Sequence, residues 1–192
     1  MFAAVSIAEQ MDAESPASVN TIVRWAREQP LDFTPGSRFA YSNLGYAILG
    51  RVIEEKSGQN YEEYVQGAVL HPAGITRMEI GRTLPSERPD DEFFYHPNSA
   101  ESPITSVFND DEVPRPDGGF HLEAMDAHGG WIASTTDLLR FIAAVDGRPS
   151  PPDILSSNSI AEMTAQSAHF SSTYWYGFGW LVRPMPWDLG EN

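Results

Sequence analysis

The 192-residue chain contains no cysteine, which excludes disulfide scaffolds, thiolate metal sites and cysteine nucleophiles and leaves the redox compartment unspecified. Lysine is almost as scarce, for Lys56 is the only one among 12 basic residues. Chemistry that needs a lysine at a fixed spacing has that one position to draw on. Long apolar runs are missing as well. The longest, Leu44 to Gly50, falls far short of the roughly 20 residues that cross a bilayer, so no membrane insertion is expected. The opening apolar stretch breaks at Glu9 with no basic residue ahead of it, too short for a secretion signal. Positive charge is thin: single arginines stand against 27 acidic residues, for a net charge of -15, and nucleic acid is therefore not an expected partner. The five histidines are spaced too widely to share a helical face, so neither a metal nor another cofactor is implied. No nucleophile elbow, phosphate loop, dinucleotide fingerprint or H-E-x-x-H helix occurs. The paired carboxylates at Asp90 to Glu92 and Asp110 to Glu112 read as solvated charge runs.

What is present is the pattern of a folding sequence. Hydrophobic residues make up 41% and charged residues 20%, ordinary values for a globular chain, and the length suits one domain over residues 1–192. Ser15 and Pro16 read as the cap and first position of a helix through Val19, Ile22, Val23 and Ala26, stopped by Pro30. Thr34 to Ser37 is a turn and Arg38 to Tyr41 an extended piece. A second helix carries Ala47, Ile48, Val52 and Ile53 and stops at Gly58, with Asn43 as its cap. A third begins at Asn60, where Glu63 completes a capping-box pattern, and presents Tyr61, Tyr64, Val65, Ala68 and Val69 on one face until Pro72 and Gly74.

From Glu87 to Asp126 the chain is acidic and proline-rich without a period of 3.6 or 2, and reads as an irregular excursion. Its run Phe93-Phe94-Tyr95 argues for docking onto the body of the protein. The excursion, with those rings and Phe108, either shapes a substrate cleft or is a surface insertion. After Gly129-Gly130-Trp131, Ser134 caps a helix with Asp137 in its first turn and Leu138, Leu139, Phe141, Ile142 and Val145 toward the core. A weaker helix spans about Ser157 to Gln166. Tyr174 to Val182 is a strand dense in aromatics and broken by Gly177 and Gly179, and Trp131, Trp175 and Trp180 are expected to pack the core.

The stretch Pro35-Gly36-Ser37-Arg38-Phe39-Ala40-Tyr41-Ser42-Asn43-Leu44-Gly45-Tyr46-Ala47-Ile48-Leu49-Gly50 resembles the Tyr-x-Asn motif of the serine β-lactamase and penicillin-binding protein superfamily, in the branch with class C β-lactamases, D,D-carboxypeptidases, D-aminopeptidases and related esterases. Ile53 to Tyr64, Leu70 to Met78, Gly129 to Leu139 and Tyr176 to Trp180 are similar to that family too. The resemblance implies an α+β fold of the β-lactamase/DD-peptidase type, of which this chain is mainly the helical region with few strands. It also implies an acyl-enzyme route to amide or ester cleavage on a small-molecule or peptide substrate. By resemblance Tyr41 shares the proton traffic of a nucleophilic serine, and Asn43 offers its amide to the substrate carbonyl. From the residues alone, Tyr41 is equally a core tyrosine and Asn43 a helix cap.

Two of the family's three catalytic motifs are missing. S-x-x-K cannot form, because Ile53 stands three residues before Lys56. Lys56-Ser57-Gly58 spells the third motif but ends a helix, and is read as a decoy. These departures lead to the expectation that the chain is an internal, partial β-lactamase-like domain whose nucleophile lies elsewhere. Its helices would then leave an apolar face open to self-association. A non-catalytic binding protein descended from the family is the rival expectation.

Overall fold

The computed structural model describes residues 3–96, 101–167 and 173–183, which form two compact units. The first comprises residues 1–30 and 42–137, the second residues 31–41 and 138–192.

The first unit is built on helices. α1 (Ala4–Gln10) and α2 (Val19–Ala26) pack with α3 (Asn43–Ser57) around Ile7, Ala8, Ala17, Ile22, Ala47 and Ala124. α1 is not expected from the sequence, where these residues carry only a short apolar run, and the cap of α2 lies later than Ser15. Ser18, in extended backbone, accepts from Thr21 N at 3.2 Å, and Ser15 and Pro16 lie in a bend ahead of it. α3 stops where expected, at Gly58 with a left-handed φ of 69° that glycine adopts without steric cost. Lys56 and Ser57 are thus the last residues of a helix, which removes them as a catalytic motif.

α4 (Tyr61–Val65) is capped by Asn60, which accepts from Glu62 N at 2.9 Å. The expected reciprocal arm from Glu63 is replaced by Glu54 of α3, whose Oε1 accepts from Tyr61 N at 3.0 Å. The helix runs on as a wider turn over Gln66–Leu70. Two short strands, β1 (Glu79–Ile80) and β4 (Trp131–Ile132), pair antiparallel, and Glu62 of α4 holds Ile80 N at 2.7 Å.

Between them runs the acidic excursion, more ordered than its composition suggested. β2 (Ile104–Thr105) and β3 (Glu112–Val113) form a hairpin, followed by tight turns at Arg115–Asp117 and Glu123–His128. The rings of Phe93 and Phe94 are 91% and 90% exposed, so the expected docking of this run is corrected. Only Tyr95 is engaged, donating to Glu92 at 2.8 Å with the Arg88 guanidinium 5.2 Å from its ring centre.

α5 (Thr135–Ala143) starts in the first unit and continues into the second. Its predicted core face is only half used. Phe141 stacks on Trp180 with ring centres 6.3 Å apart and Val145 is buried, but Leu138, Leu139 and Ile142 are exposed because nothing among the described residues covers them. In the second unit, α6 (Ser157–Thr164) meets a hairpin of β5 (Trp175–Tyr176) and β6 (Leu181–Val182). The expected single strand is therefore two. The chain folds back over 177–180, where Gly179 has a left-handed φ of 80°; at Gly177 a Cβ would collide with the Met163 carbonyl, and Phe178 N donates to that same oxygen at 2.8 Å.

Gly50 in the middle of α3 has a packing reason. A Cβ there would stand 2.7 Å from Ala127 Cβ, so the helix and the Glu123–His128 turn touch backbone to methyl. Alanine ordinarily favours a helix over glycine by about 1 kcal/mol; here overpacking reverses the sign. Gly50→Ala is expected to destabilise by about 1 to 3 kcal/mol in urea unfolding. Gly67→Ala, with no atom within 4 Å of its would-be Cβ, is expected to be neutral or stabilising, and equal midpoints for the two variants would refute the close contact.

Candidate active site

The backbone around the Tyr-x-Asn segment is set by Ser42. It sits in extended geometry (φ -143°, ψ 108°) and its Oγ accepts from Gly45 N at 3.0 Å, satisfying one of the free N–H groups that open a helix. Ser42, not Asn43, is therefore the cap of α3. Asn43 is the first helical residue, half-buried, and its amide makes no hydrogen bond among the described residues. An asparagine relieved of capping keeps two donors and one acceptor for other use.

Tyr41 ends the second unit's extended segment and is 69% exposed, which rules out the core-tyrosine alternative. Its ring meets Tyr176 edge-on at 6.3 Å between centres, and Tyr176 stacks on Phe39 at 5.6 Å. The aromatic strand is what steadies Tyr41. Its hydroxyl makes no hydrogen bond among the described residues.

The position of Asn43 rests on the anchoring of α3 from behind. Arg51 pairs with Asp126 of the Glu123–His128 turn and lies 3.2 Å from Glu54, with both Arg51 and Asp126 side chains largely withdrawn from water. In the same region Thr83, 1% exposed, donates its hydroxyl to Glu123 at 2.7 Å and accepts from Leu122 N at 2.7 Å. Burial alone would raise the Glu123 carboxyl. The hydrogen bonds from Thr83 N, its own backbone and the Thr83 hydroxyl, with nearby His121, outweigh that and hold it below the ordinary glutamate value. Burial keeps His128 below the usual histidine range.

The first unit also carries a cleft of about 590 Å³. Asp91, Glu92, Phe93 and Tyr95 of the excursion form part of its lining, with Arg77, Trp131, Ser134 and Asp137; Phe94 and Phe108 do not contribute. Ser134 and Asp137 had been read as a cap alone. They are a cap, Asp137 N donating to Ser134 Oγ at 3.1 Å and that hydroxyl donating to Asp137 Oδ2 at 2.7 Å, and they also border this cavity. Nothing local in the sequence signals that second position, because the β1–β4 pairing that sets it is long-range. Asn43 is not part of the cleft lining. Among the described residues no group of three or more His, Asp or Glu is arranged to hold a metal ion, and no helix is long and apolar enough to cross a membrane.

The family model described as Beta-lactamase matches residues 4–190. Penicillin-binding protein 4* of Bacillus subtilis (strain 168) is 27% identical over 161 residues, 80% of this chain and 33% of that protein. A putative D-alanyl-D-alanine carboxypeptidase of Escherichia coli (strain K12) is 22% identical over 171 residues, 82% of this chain and 38% of that protein. Among solved structures, the D-amino acid amidase from Ochrobactrum anthropi SV3 superposes with a TM-score of 0.62 at 24% identity, over 90% of this chain and 47% of that one. A D-stereospecific amidohydrolase from Streptomyces gives a TM-score of 0.65 at 20% identity, over 88% and 46%. These likenesses show the α+β fold expected from the sequence. The chain spans about a third of the length of the curated relatives it matches.

Because Ser42 caps α3 and Asn43 does not, Ser42→Ala is expected to cost about 1 kcal/mol of stability and Asn43→Ala close to nothing. Thermal unfolding of both variants gives the order, and the reverse order would return the capping role to Asn43.

Proposed function

The chain belongs to the β-lactamase family, and from that premise we propose that it is the helical part of a serine hydrolase that cleaves an amide or ester through an acyl-enzyme, to which it contributes Tyr41 and Asn43. One observation carries the reading: Ser42 takes the capping role that Asn43 could have filled, and neither the Asn43 carboxamide nor the Tyr41 phenol makes a hydrogen bond among the described residues.

In this reading the attacking serine comes from outside these 192 residues, since the chain can form no S-x-x-K. The serine oxygen bonds to the substrate carbonyl carbon while its proton passes by way of Tyr41 to the departing amine or alcohol. Asn43 donates to the carbonyl-bearing part of the substrate, and water then releases the acyl group. The names of the relatives, carboxypeptidase and D-amino acid amidase, make a D-amino-acid amide or peptide the first substrate class to test. Ile48, Leu49 and Val52 in the first unit and Leu138, Leu139 and Ile142 in the second are exposed apolar residues, and each stripe by itself is a place where the isolated chain would associate.

Labelling by a fluorescent penicillin or fluorophosphonate tests the catalytic part. A polypeptide that joins this chain to an S-x-x-K helix of the family is expected to label, Tyr41→Phe to slow labelling by about 10² to 10⁴, and the chain alone to stay unlabelled. An unchanged rate in Tyr41→Phe would remove that residue from the mechanism, and a longer polypeptide that never labels would favour the non-catalytic binding role. Size-exclusion chromatography tests association: species larger than a 21.3 kDa monomer are expected, and a sharp, stable monomer peak would contradict it.

A further inference from the structure

The cleft of the first unit has a chemistry of its own. Its lining includes three aromatic side chains, Phe93, Tyr95 and Trp131, and the Phe93 ring is 91% exposed. Nothing among the described residues covers that ring, which borders a cavity within the usual range of about 300 to 1,000 Å³ for ligand sites.

The charges decide what would cover it. Arg77 pairs with Asp91 at 3.5 Å. Arg88, behind the Tyr95 ring, is taken up by Asp117 at 2.9 Å and by the carbonyls of Arg82, Thr83 and Pro116. Among the described residues Glu92 is in no such ion pair. Its Oε1 accepts from the Tyr95 hydroxyl at 2.8 Å, and its Oε2 is closed to solvent with no hydrogen-bond partner among the described residues. Glu92 is half-buried, and a carboxylate with one oxygen shielded from water and left without a partner favours a positive group brought up beside it. Aromatic faces attract cations through their quadrupoles, so rings and carboxylates select the same kind of guest.

We propose that this cleft binds an organic cation, an ammonium or guanidinium group carried on a flat apolar body. The inference does not rest on the hydrolase reading and needs no intact catalytic motif.

Ligand-observed NMR titration of the 192-residue chain with three probes of one size tests it: 2-phenylethylammonium, 2-phenylethanol and 3-phenylpropanoate. The ammonium is expected to bind at least about tenfold more tightly than the alcohol, with the carboxylate weakest. Glu92→Gln should bring ammonium and alcohol to within about twofold of each other. Phe93→Ala removes an exposed ring, leaves the unfolding temperature unchanged, and should weaken the ammonium by about two- to fivefold. Equal affinity of ammonium and alcohol in the wild-type chain, an ammonium affinity unmoved by Phe93→Ala, or no binding of the ammonium would each overturn the proposal. Should Glu92→Gln fail to fold, the wild-type selectivity and the Phe93 variant decide the matter alone.

Discussion

The pairing of Arg51 with Asp126 is the constraint on which the first unit depends. Arg51 projects from the middle of α3, and its partner lies in a turn about 75 positions further along the chain. The same guanidinium lies beside Glu54, which caps α4 through Tyr61 N, and the Tyr61 ring meets Trp131 of β4 edge-on at 6.3 Å. One cation thus fixes the mutual placement of two helices, a turn and a strand. Its effect is larger than that of a surface ion pair because both partners are withdrawn from screening water. Gly50, one residue away, lets the helix come close enough for the pair to form.

That rigidity is one-sided. α3 is held on the face that carries Ala47, Gly50 and Arg51, while Ile48, Leu49 and Val52 remain in solvent. α5 repeats the arrangement, with Phe141, and Val145 just past its end, packed and Leu138, Leu139 and Ile142 open. Apolar stripes on two helices, each at the periodicity of a buried face, fit an architecture in which helices cover a further layer.

Much of this was legible from local chemistry. The reach of α3 and its stop at Gly58, the Asn60 cap, the Thr34 to Ser37 turn and the Ser134 to Asp137 cap all follow from residues within a few positions of one another. Errors arose where neighbours compete for one role. Ser15 and Ser18 both precede the α2 stripe, and Ser42 and Asn43 both suit the start of α3; only backbone geometry decides which side chain accepts. The two-residue strands β1 and β4 were invisible because their pairing joins Glu79 to Ile132, and no pattern of alternation fits in two residues. The open rings of Phe93 and Phe94 contradicted a sound expectation from hydrophobicity, which measures what burial would stabilise and not whether the chain provides a place for it. Tyr41 and Asn43 stood out through the family resemblance, and their local surroundings explain how the backbone presents them.

The anchoring of the excursion bears on how much change this part of the chain tolerates. Thr83 and Arg88 at its beginning are bonded to Phe120, Leu122, Glu123, Pro116 and Asp117 at its end, so its two stems are stitched together independently of what lies between. Lengthening a segment closed in this way costs only a logarithmic increment of chain entropy. Insertions between the stems are therefore expected to cost the helical scaffold little, because the contacts that close the segment lie outside the part that would change.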